Sequence, residues 1–132
     1  MTERLEADVV NDPAVVAELT AVCEAYERAF IANDVATLEG MFWGHTGTVR
    51  FGLAESLWGH AEIVAFRRGT STAGHARERR RVVINTFGDA FGTCSSEDAR
   101  AGGRVGRITQ AWVMRPEGWR IVAAHVSMVD PR

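Results

Sequence analysis

A tyrosine and an arginine have the types and positions in this sequence that best suit chemistry on a small anion. Tyr26 falls on the apolar stripe of a predicted helix, and Arg50 interrupts an alternating apolar run, "TVRFG". Taken singly, an inward tyrosine is usually a core residue, and an arginine in a strand is as often a surface charge. If both face one cavity, they provide a proton donor beside a guanidinium that can hold a carboxylate bidentately. We therefore treat Tyr26 and Arg50 as candidate catalytic residues.

The residues that follow Arg50 provide a further candidate. Glu55, in "AESLWG", would orient the guanidinium of Arg50 or act as a base, although a lone glutamate is usually solvated. Gly52 shares the face of Arg50, and we expect it to leave room for a ligand. Glu55 is therefore a candidate substrate-binding residue.

The remaining candidates for substrate binding lie on two C-terminal strands. His125 and Ser127 share a face of the last strand, but a core histidine is favoured over a nucleophile pair because no GxSxG motif is present. Arg107 and Gln110 lie on opposite faces unless a bulge intervenes, and nearby glycines make a bulge plausible. We carry all four forward as candidates for contacting a substrate.

Metal and cofactor chemistry have little support in the sequence. The four histidines, at positions 45, 60, 75 and 125, form no HxH, HExxH or HxxxH motif. Cys23 and Cys94 are far apart and outside any CxxC spacing, and they are expected to be reduced thiols. All fifteen basic residues are arginine, which excludes Schiff-base chemistry by a lysine of this chain. We expect neither a metal nor an organic cofactor.

Length and charge indicate one globular domain over residues 1–132, in which residues 1–12 are expected to be flexible. The formal charge of -2 argues against a nucleic-acid partner. The one basic run, "RERRR" at residues 77–81, is interpreted as a solvated strand face or an ion-pair ladder at a dimer edge. The acidic N-terminus lacks the apolar core of a signal peptide, and no run is long enough to cross a bilayer, so we expect a cytoplasmic protein without membrane contacts.

The order of elements predicts an α+β fold. Asp12 and Pro13 form a typical helix start, and apolar residues then recur at helical spacing as far as Phe30. A short helix in "VATLEGMFW", a strand in "TVRFGL", a third helix in "GHAEIVAFRRG" and a loop in "GTSTAGH" follow. Four strand-like runs with short turns complete the chain as an antiparallel meander, which the three helices would cover on one face.

The last strand bears on assembly, because strict alternation makes both of its faces mostly apolar. One series runs from Trp119 through Ala123 to Ser127, and the other from Arg120 through Ala124 to Met128. The helices can cover only one of these faces. We expect a second copy of the chain to cover the other in a homodimer or higher homo-oligomer, in preference to an extra internal layer.

The helices followed by a sheet ending in "GWRIVAAHVS" resemble the NTF2-like, or SnoaL-like, cone fold. The stretches "YERAFIANDVATLEGMFW", "TVRFGLAESLWGHAEIVAFR" and "GRITQAWVMRPEGWRIVAAHVSMV" are similar to the small AtzH and HpxZ-type proteins of cyanuric-acid and oxalurate catabolism, over nearly the whole chain. This resemblance implies a cone-shaped pocket beneath three N-terminal helices and a strongly curved, mostly antiparallel sheet. It also implies dimerisation through the sheet and no cofactor.

For AtzH-like members the resemblance implies a decarboxylating amidohydrolase that converts dicarboxyurea to allophanate. The family's tyrosine and arginine match Tyr26 and Arg50, which would relay a proton and bind a carboxylate. A departure occurs in "AESLWG", where the resemblance leads us to expect an asparagine and a tyrosine near Ser56 and Trp58. Two alternatives remain open. They are a non-catalytic binding protein for a small carboxylate, and an isomerase or cyclase that uses Glu55 as its base.

Overall fold

The computed structural model describes residues 9–72 and 77–131, and within them three α-helices pack on one sheet. The helices are α1 (Pro13–Ile31), α2 (Val35–Gly40) and α3 (His60–Gly69). The strands are β1 (Val49–Phe51), β2 (Ser56–Trp58), β3 (Glu78–Phe87), β4 (Phe91–Ala99), β5 (Val105–Arg115) and β6 (Gly118–Val129). The predicted α+β class and the three helices are confirmed, and β2 is a strand that the sequence did not predict. No helix in the described ranges is long and apolar enough to cross a membrane.

The six strands form one mixed sheet in the order β2-β1-β6-β5-β4-β3. Every pairing is antiparallel except that of β1 with β6, which is parallel. The expectation of a strongly curved sheet is wrong, because the sheet is not strongly curled. Two of its strands, β1 and β2, are only three residues long, so this end of the sheet is too short to wrap around the helices.

Helix α1 begins where the sequence predicts, for the predicted reason. The side chain of Asp12 accepts a hydrogen bond from the backbone N–H of Ala14 at 2.9 Å, and Pro13 occupies the first turn. Four residues of the predicted apolar stripe are buried against the sheet, which places Tyr26 on the inner face of the helix. They are Leu19, Cys23, Tyr26 and Phe30.

A β-bulge reverses the two faces of β6 part-way along the strand. Ala111 pairs with Ala123, but the next residue of β5, Trp112, pairs with Ile121, so Val122 is the extra residue. Before the bulge Ile121 faces the core, and after it Ala124 does, while Ala123 is exposed. Strict alternation along the whole strand is therefore wrong, and His125 lies on the outer face.

The expected flexible segment, residues 1–12, falls partly outside the structural description, which does not cover residues 1–8. Residues 9–12, by contrast, are held against the end of β3. Asn11 donates its backbone N–H to Thr86 O at 2.9 Å, and its side-chain oxygen accepts from Thr86 N at 2.7 Å. The predicted loop "GTSTAGH" is described only as far as Thr72, so His75 lies outside the described residues.

Candidate functional site

A cavity of about 190 Å³ lies between the sheet and the helices, and its charged lining makes it the candidate site. Its size suits a small molecule rather than a drug-sized ligand. Strand β1 contributes one wall, α3 contributes another, and Val126 of β6 lies on its floor. The cavity is notable for its cations, which are Arg50, Arg67, Arg77 and Arg100.

Arg50 points into this cavity, which is one of the two orientations that the alternation in "TVRFG" left open. It is the buried residue of β1, with 8% of its surface exposed, whereas Val49 and Phe51 lie on the outer face. Its Nη1 donates to Glu55 Oε1 at 2.9 Å, and the other oxygen of Glu55 accepts from the backbone N–H of Ala54 at 3.2 Å. Glu55 therefore orients the guanidinium of Arg50.

The space beside Gly52 is filled by Glu55 rather than left for a ligand. A Cβ built on Gly52 would overlap Oε1 of Glu55, so the absence of a side chain at position 52 admits this carboxylate. The backbone N–H of Gly52 also donates to Glu55 O at 2.9 Å, which closes the turn between β1 and β2. The sequence correctly grouped Gly52 with Arg50, but the prediction that it makes room for a ligand is wrong.

Arg67 is a cavity residue that sequence reasoning missed. It lies on α3 with 4% of its surface exposed, and its guanidinium carbon is 5.6 Å from the ring centre of Phe30 and 5.8 Å from that of Phe66. Burial lowers the pKa of the Arg67 guanidinium, and the like charges of Arg50 and Arg77 act in the same direction. Its position four residues after buried Ile63 is the sequence signal that places it on the inner face of the helix.

Arg77 and Arg79 overturn the interpretation of "RERRR" as an alternately solvated face. The Arg77 side chain is 4% exposed, donates to Glu27 at 2.8 Å and lies 3.7 Å from the ring centre of Phe30. Arg79 also turns inward, with Nη2 3.8 Å from the sulfur of Cys94. A bulge between Arg79 and Arg81 changes the register, so that only the later arginines are exposed.

Tyr26 lies in the aromatic core beside the cavity and is not one of its lining residues. Its ring meets those of Phe42 and Trp112 edge to face, with centroid separations of 6.2 and 6.3 Å. It is near enough to Arg67 to act on the pKa of that guanidinium, which it raises. Gln110 belongs to the same cluster, because its side-chain oxygen accepts from Trp112 Nε1 at 3.1 Å. Tyr26 and Gln110 are thus on the cavity side of the sheet.

The other three candidate binding residues lie on the opposite side of the sheet. Arg107 and His125 are exposed there, and Arg107 Nε donates to Ser127 Oγ at 3.2 Å. His125 contacts the ring of Phe51 at 5.8 Å between centroids. The structure thus separates Arg107, His125 and Ser127 from the cavity that Arg50 and Glu55 line.

Comparison with known proteins assigns the chain to a family. The model of the AtzH-like family matches residues 8–132. The chain belongs to the AtzH-like family. A search of curated proteins found no match.

Solved structures of similar proteins share the fold of this chain. A protein of unknown function from Pectobacterium atrosepticum, of the DUF3225 family, is 46% identical with a TM-score of 0.89, and the match covers 97% of this chain and all of that one. A cystatin-like fold protein from Burkholderia xenovorans is 38% identical with a TM-score of 0.88, over 94% and 98% of the two chains. An NTF2-like protein of unknown function from Pseudomonas putida has a TM-score of 0.74 at 13% identity, over 88% and 87%.

In this AtzH-like protein three of the four cavity arginines have a carboxylate partner. Arg50 pairs with Glu55, and Arg77 pairs with Glu27. Arg100 pairs with Asp98, which is fully buried. Arg67 takes part in no salt bridge within the described ranges. Its Nη2 is buried there and has no hydrogen-bond acceptor. The cavity therefore carries a positive charge that the described residues do not balance, which suits an anionic ligand.

Proposed function

We propose that this AtzH-like protein is a decarboxylating amidohydrolase acting on a dicarboxylated urea or a related ureido acid. The observation that carries the proposal is the small cavity in which Arg50, held by Glu55, lies buried in a chain of this family. A substrate carboxylate that enters such a site loses its hydrogen bonds to water. This loss costs several kcal/mol unless a buried cation provides hydrogen bonds in place of that water. The remaining donors of Arg50 supply that replacement.

The proposed reaction breaks the bond between a urea nitrogen and its carboxyl carbon. The electron pair of this bond stays on the nitrogen, the carboxyl group leaves as CO₂, and the nitrogen takes a proton. Tyr26 is proposed to relay that proton, and Arg50 to bind a carboxylate and stabilise charge on the urea carbonyl oxygen. Dicarboxyurea would thereby yield allophanate.

Two observations bear on the alternative functions. Both oxygens of the Glu55 carboxylate already accept hydrogen bonds, from Arg50 Nη1 at 2.9 Å and from the backbone N–H of Ala54 at 3.2 Å, which disfavours an isomerase or cyclase that uses Glu55 as its base. A non-catalytic carboxylate-binding protein would use the same arginines without the phenol of Tyr26. Turnover, and its dependence on Tyr26, therefore separates the enzyme from the binding protein.

The test is CO₂ and allophanate release from freshly prepared dicarboxyurea by the wild-type protein. We expect Tyr26→Phe, which removes only the hydroxyl, to lower kcat by about 100-fold or more with little change in KM, because proton transfer typically contributes that much. We expect Arg50→Ala to lower kcat/KM by a similar factor, because a buried charged hydrogen bond is lost.

His125→Gln is the matched control, because His125 lies on the outer face of the sheet. It should leave turnover unchanged. Wild-type protein that binds small diacids but releases no CO₂ would support the binding protein instead.

A further inference from the structure

Among the arginines that line the cavity, Arg67 differs because no salt bridge with a described carboxylate matches its buried charge. Arg50, Arg77 and Arg100 each donate to a carboxylate of this chain. Arg67 is 4% exposed, and its Nη2 has no acceptor within residues 9–72 and 77–131. A buried cation in this state costs several kcal/mol relative to a paired one.

We infer that Arg67 is a second carboxylate anchor, which makes the cavity selective for ligands with two carboxylates over ligands with one. The inference rests on the proposed function for the identity of the natural substrate, and it names the feature of that substrate that the site selects. Arg50 holds one carboxylate beside Glu55, and the free donors of Arg67 hold the other.

Phe66 brings the two anchors to one cavity. The guanidinium carbon of Arg50 is 5.4 Å from the centre of this ring, and that of Arg67 is 5.8 Å from it. Both arginines and Phe66 line the cavity. The aromatic ring beside each guanidinium restricts the movement of that guanidinium and shields it from water. The remaining N–H groups of the guanidinium can then donate hydrogen bonds to an anionic ligand.

The ion pairs of the site explain why Arg67, and not Arg77, binds the second carboxylate. Glu27 already accepts two hydrogen bonds from Arg77, at 3.0 and 2.8 Å, which uses one edge of that guanidinium. None of the described carboxylates lies within ion-pair distance of Arg67, although Glu55 is near enough to raise the pKa of its guanidinium. Its charge is therefore available to a ligand without the breaking of an internal ion pair.

The experiment measures binding by titration calorimetry, with glutarate and butyrate as probes. Glutarate is chosen because the spacing between its carboxylates matches that of a dicarboxylated urea, and butyrate retains only one of them. We expect wild-type protein to prefer glutarate, and Arg67→Met to bind glutarate about 30-fold more weakly while binding butyrate as before. Arg67→Lys, which restores a charge without the planar fork, should recover part of the preference.

Arg68→Met is the matched control on the adjacent residue of α3, whose side chain is 68% exposed and pairs with Glu39 on the surface. It should bind both probes as wild type does. We also expect Arg67→Met to unfold at the same temperature as wild type or higher, because an unpaired buried charge is replaced by an apolar side chain of similar length.

Three results would overturn the inference. The first is equal affinity of wild type and Arg67→Met for glutarate, and the second is no preference of wild type for glutarate over butyrate. The third is that Arg67→Met binds neither probe and is less stable than wild type, which would indicate that Arg67 is purely structural. Absence of CO₂ release contradicts the proposed function alone. A glutarate preference that depends on Arg67 would still establish the anchor in that case.

Discussion

Gly52 and Glu55 depend on each other, and together they fix the direction of Arg50. The Glu55 carboxylate occupies the position that a Cβ at residue 52 would take, and from there it accepts the hydrogen bond of Arg50. An arginine has many rotamers, so a carboxylate that holds one of them reduces the entropy lost when a ligand binds. At the scale of residues, the site therefore depends on a carboxylate that fixes the direction of a guanidinium.

Gly52→Ala tests this dependence. The added methyl group displaces the flexible end of Glu55, so we expect catalytic efficiency on dicarboxyurea to fall by up to about 100-fold. The unfolding free energy should change by less than about 1 kcal/mol, because only a side-chain end moves. Steady-state kinetics and thermal unfolding measure the two effects. Gly69→Ala is the control, since a Cβ there meets no heavy atom within 4 Å apart from its chain neighbours and the backbone of its own helix. Unchanged kinetics in Gly52→Ala would show that Glu55 is not needed to orient Arg50.

At the scale of elements, the site depends on how closely α1 packs on the sheet. Gly92 of β4 lies under this helix, and a Cβ there would meet Leu19 of α1 and come within 2.8 Å of Asn85 O. The close approach buries the inner face of α1, including Tyr26, against Trp112 of β5. The bulge in β6 has a complementary effect, since it keeps Ala124 on the cavity side and sends His125 to the other.

Gly92→Ala is expected to destabilise the protein by about 2 kcal/mol, because the contact with Asn85 is with backbone and cannot be relieved by a rotamer change. Urea unfolding monitored by tryptophan fluorescence measures this difference. Gly40→Ala, in α2, should cause no loss of stability, since a Cβ there meets nothing within 4 Å. Equal stability of Gly92→Ala and wild type would contradict the close packing of α1 on β4.

At the scale of the whole molecule, the outer sheet face carries an apolar groove that the helices do not cover. Val49, Phe51 and Ala123 line it, and the neighbouring Trp58 is 60% exposed. A second copy of the chain would cover this groove with an identical one, which a two-fold axis permits. Dimerisation through this face stays a prediction.

Ala123→Arg tests that prediction, because Ala123 is exposed within the groove and a long charged side chain can reach solvent in the monomer. In analytical ultracentrifugation we expect wild type to sediment as a dimer and Ala123→Arg as a monomer with an unchanged circular dichroism spectrum. Arg68→Met, on the opposite side of the sheet, should remain dimeric. A wild-type protein that is monomeric at all concentrations would refute the prediction.

Local patterns in the sequence determined much of this protein. The cap at Asp12 follows from residue type, and the stripe through Tyr26 and the alternation around Arg50 follow from helical and strand periodicity, which depends only on near neighbours. They were enough to predict the α+β class, but they left open whether Arg50 faces the cavity or solvent. The family resemblance, which the comparisons confirm, named Tyr26 and Arg50 as a pair.

Only the tertiary structure decided the balance of charge around the site. Arg77 is paired because the fold brings it to Glu27, 50 residues away, and Arg67 is unpaired because the fold brings no described carboxylate within ion-pair distance of it. A single extra residue in β6 moved His125 out of the site, since a bulge inverts every later position of a strand. Pairing and register arise from contacts between distant segments, and no local pattern records them.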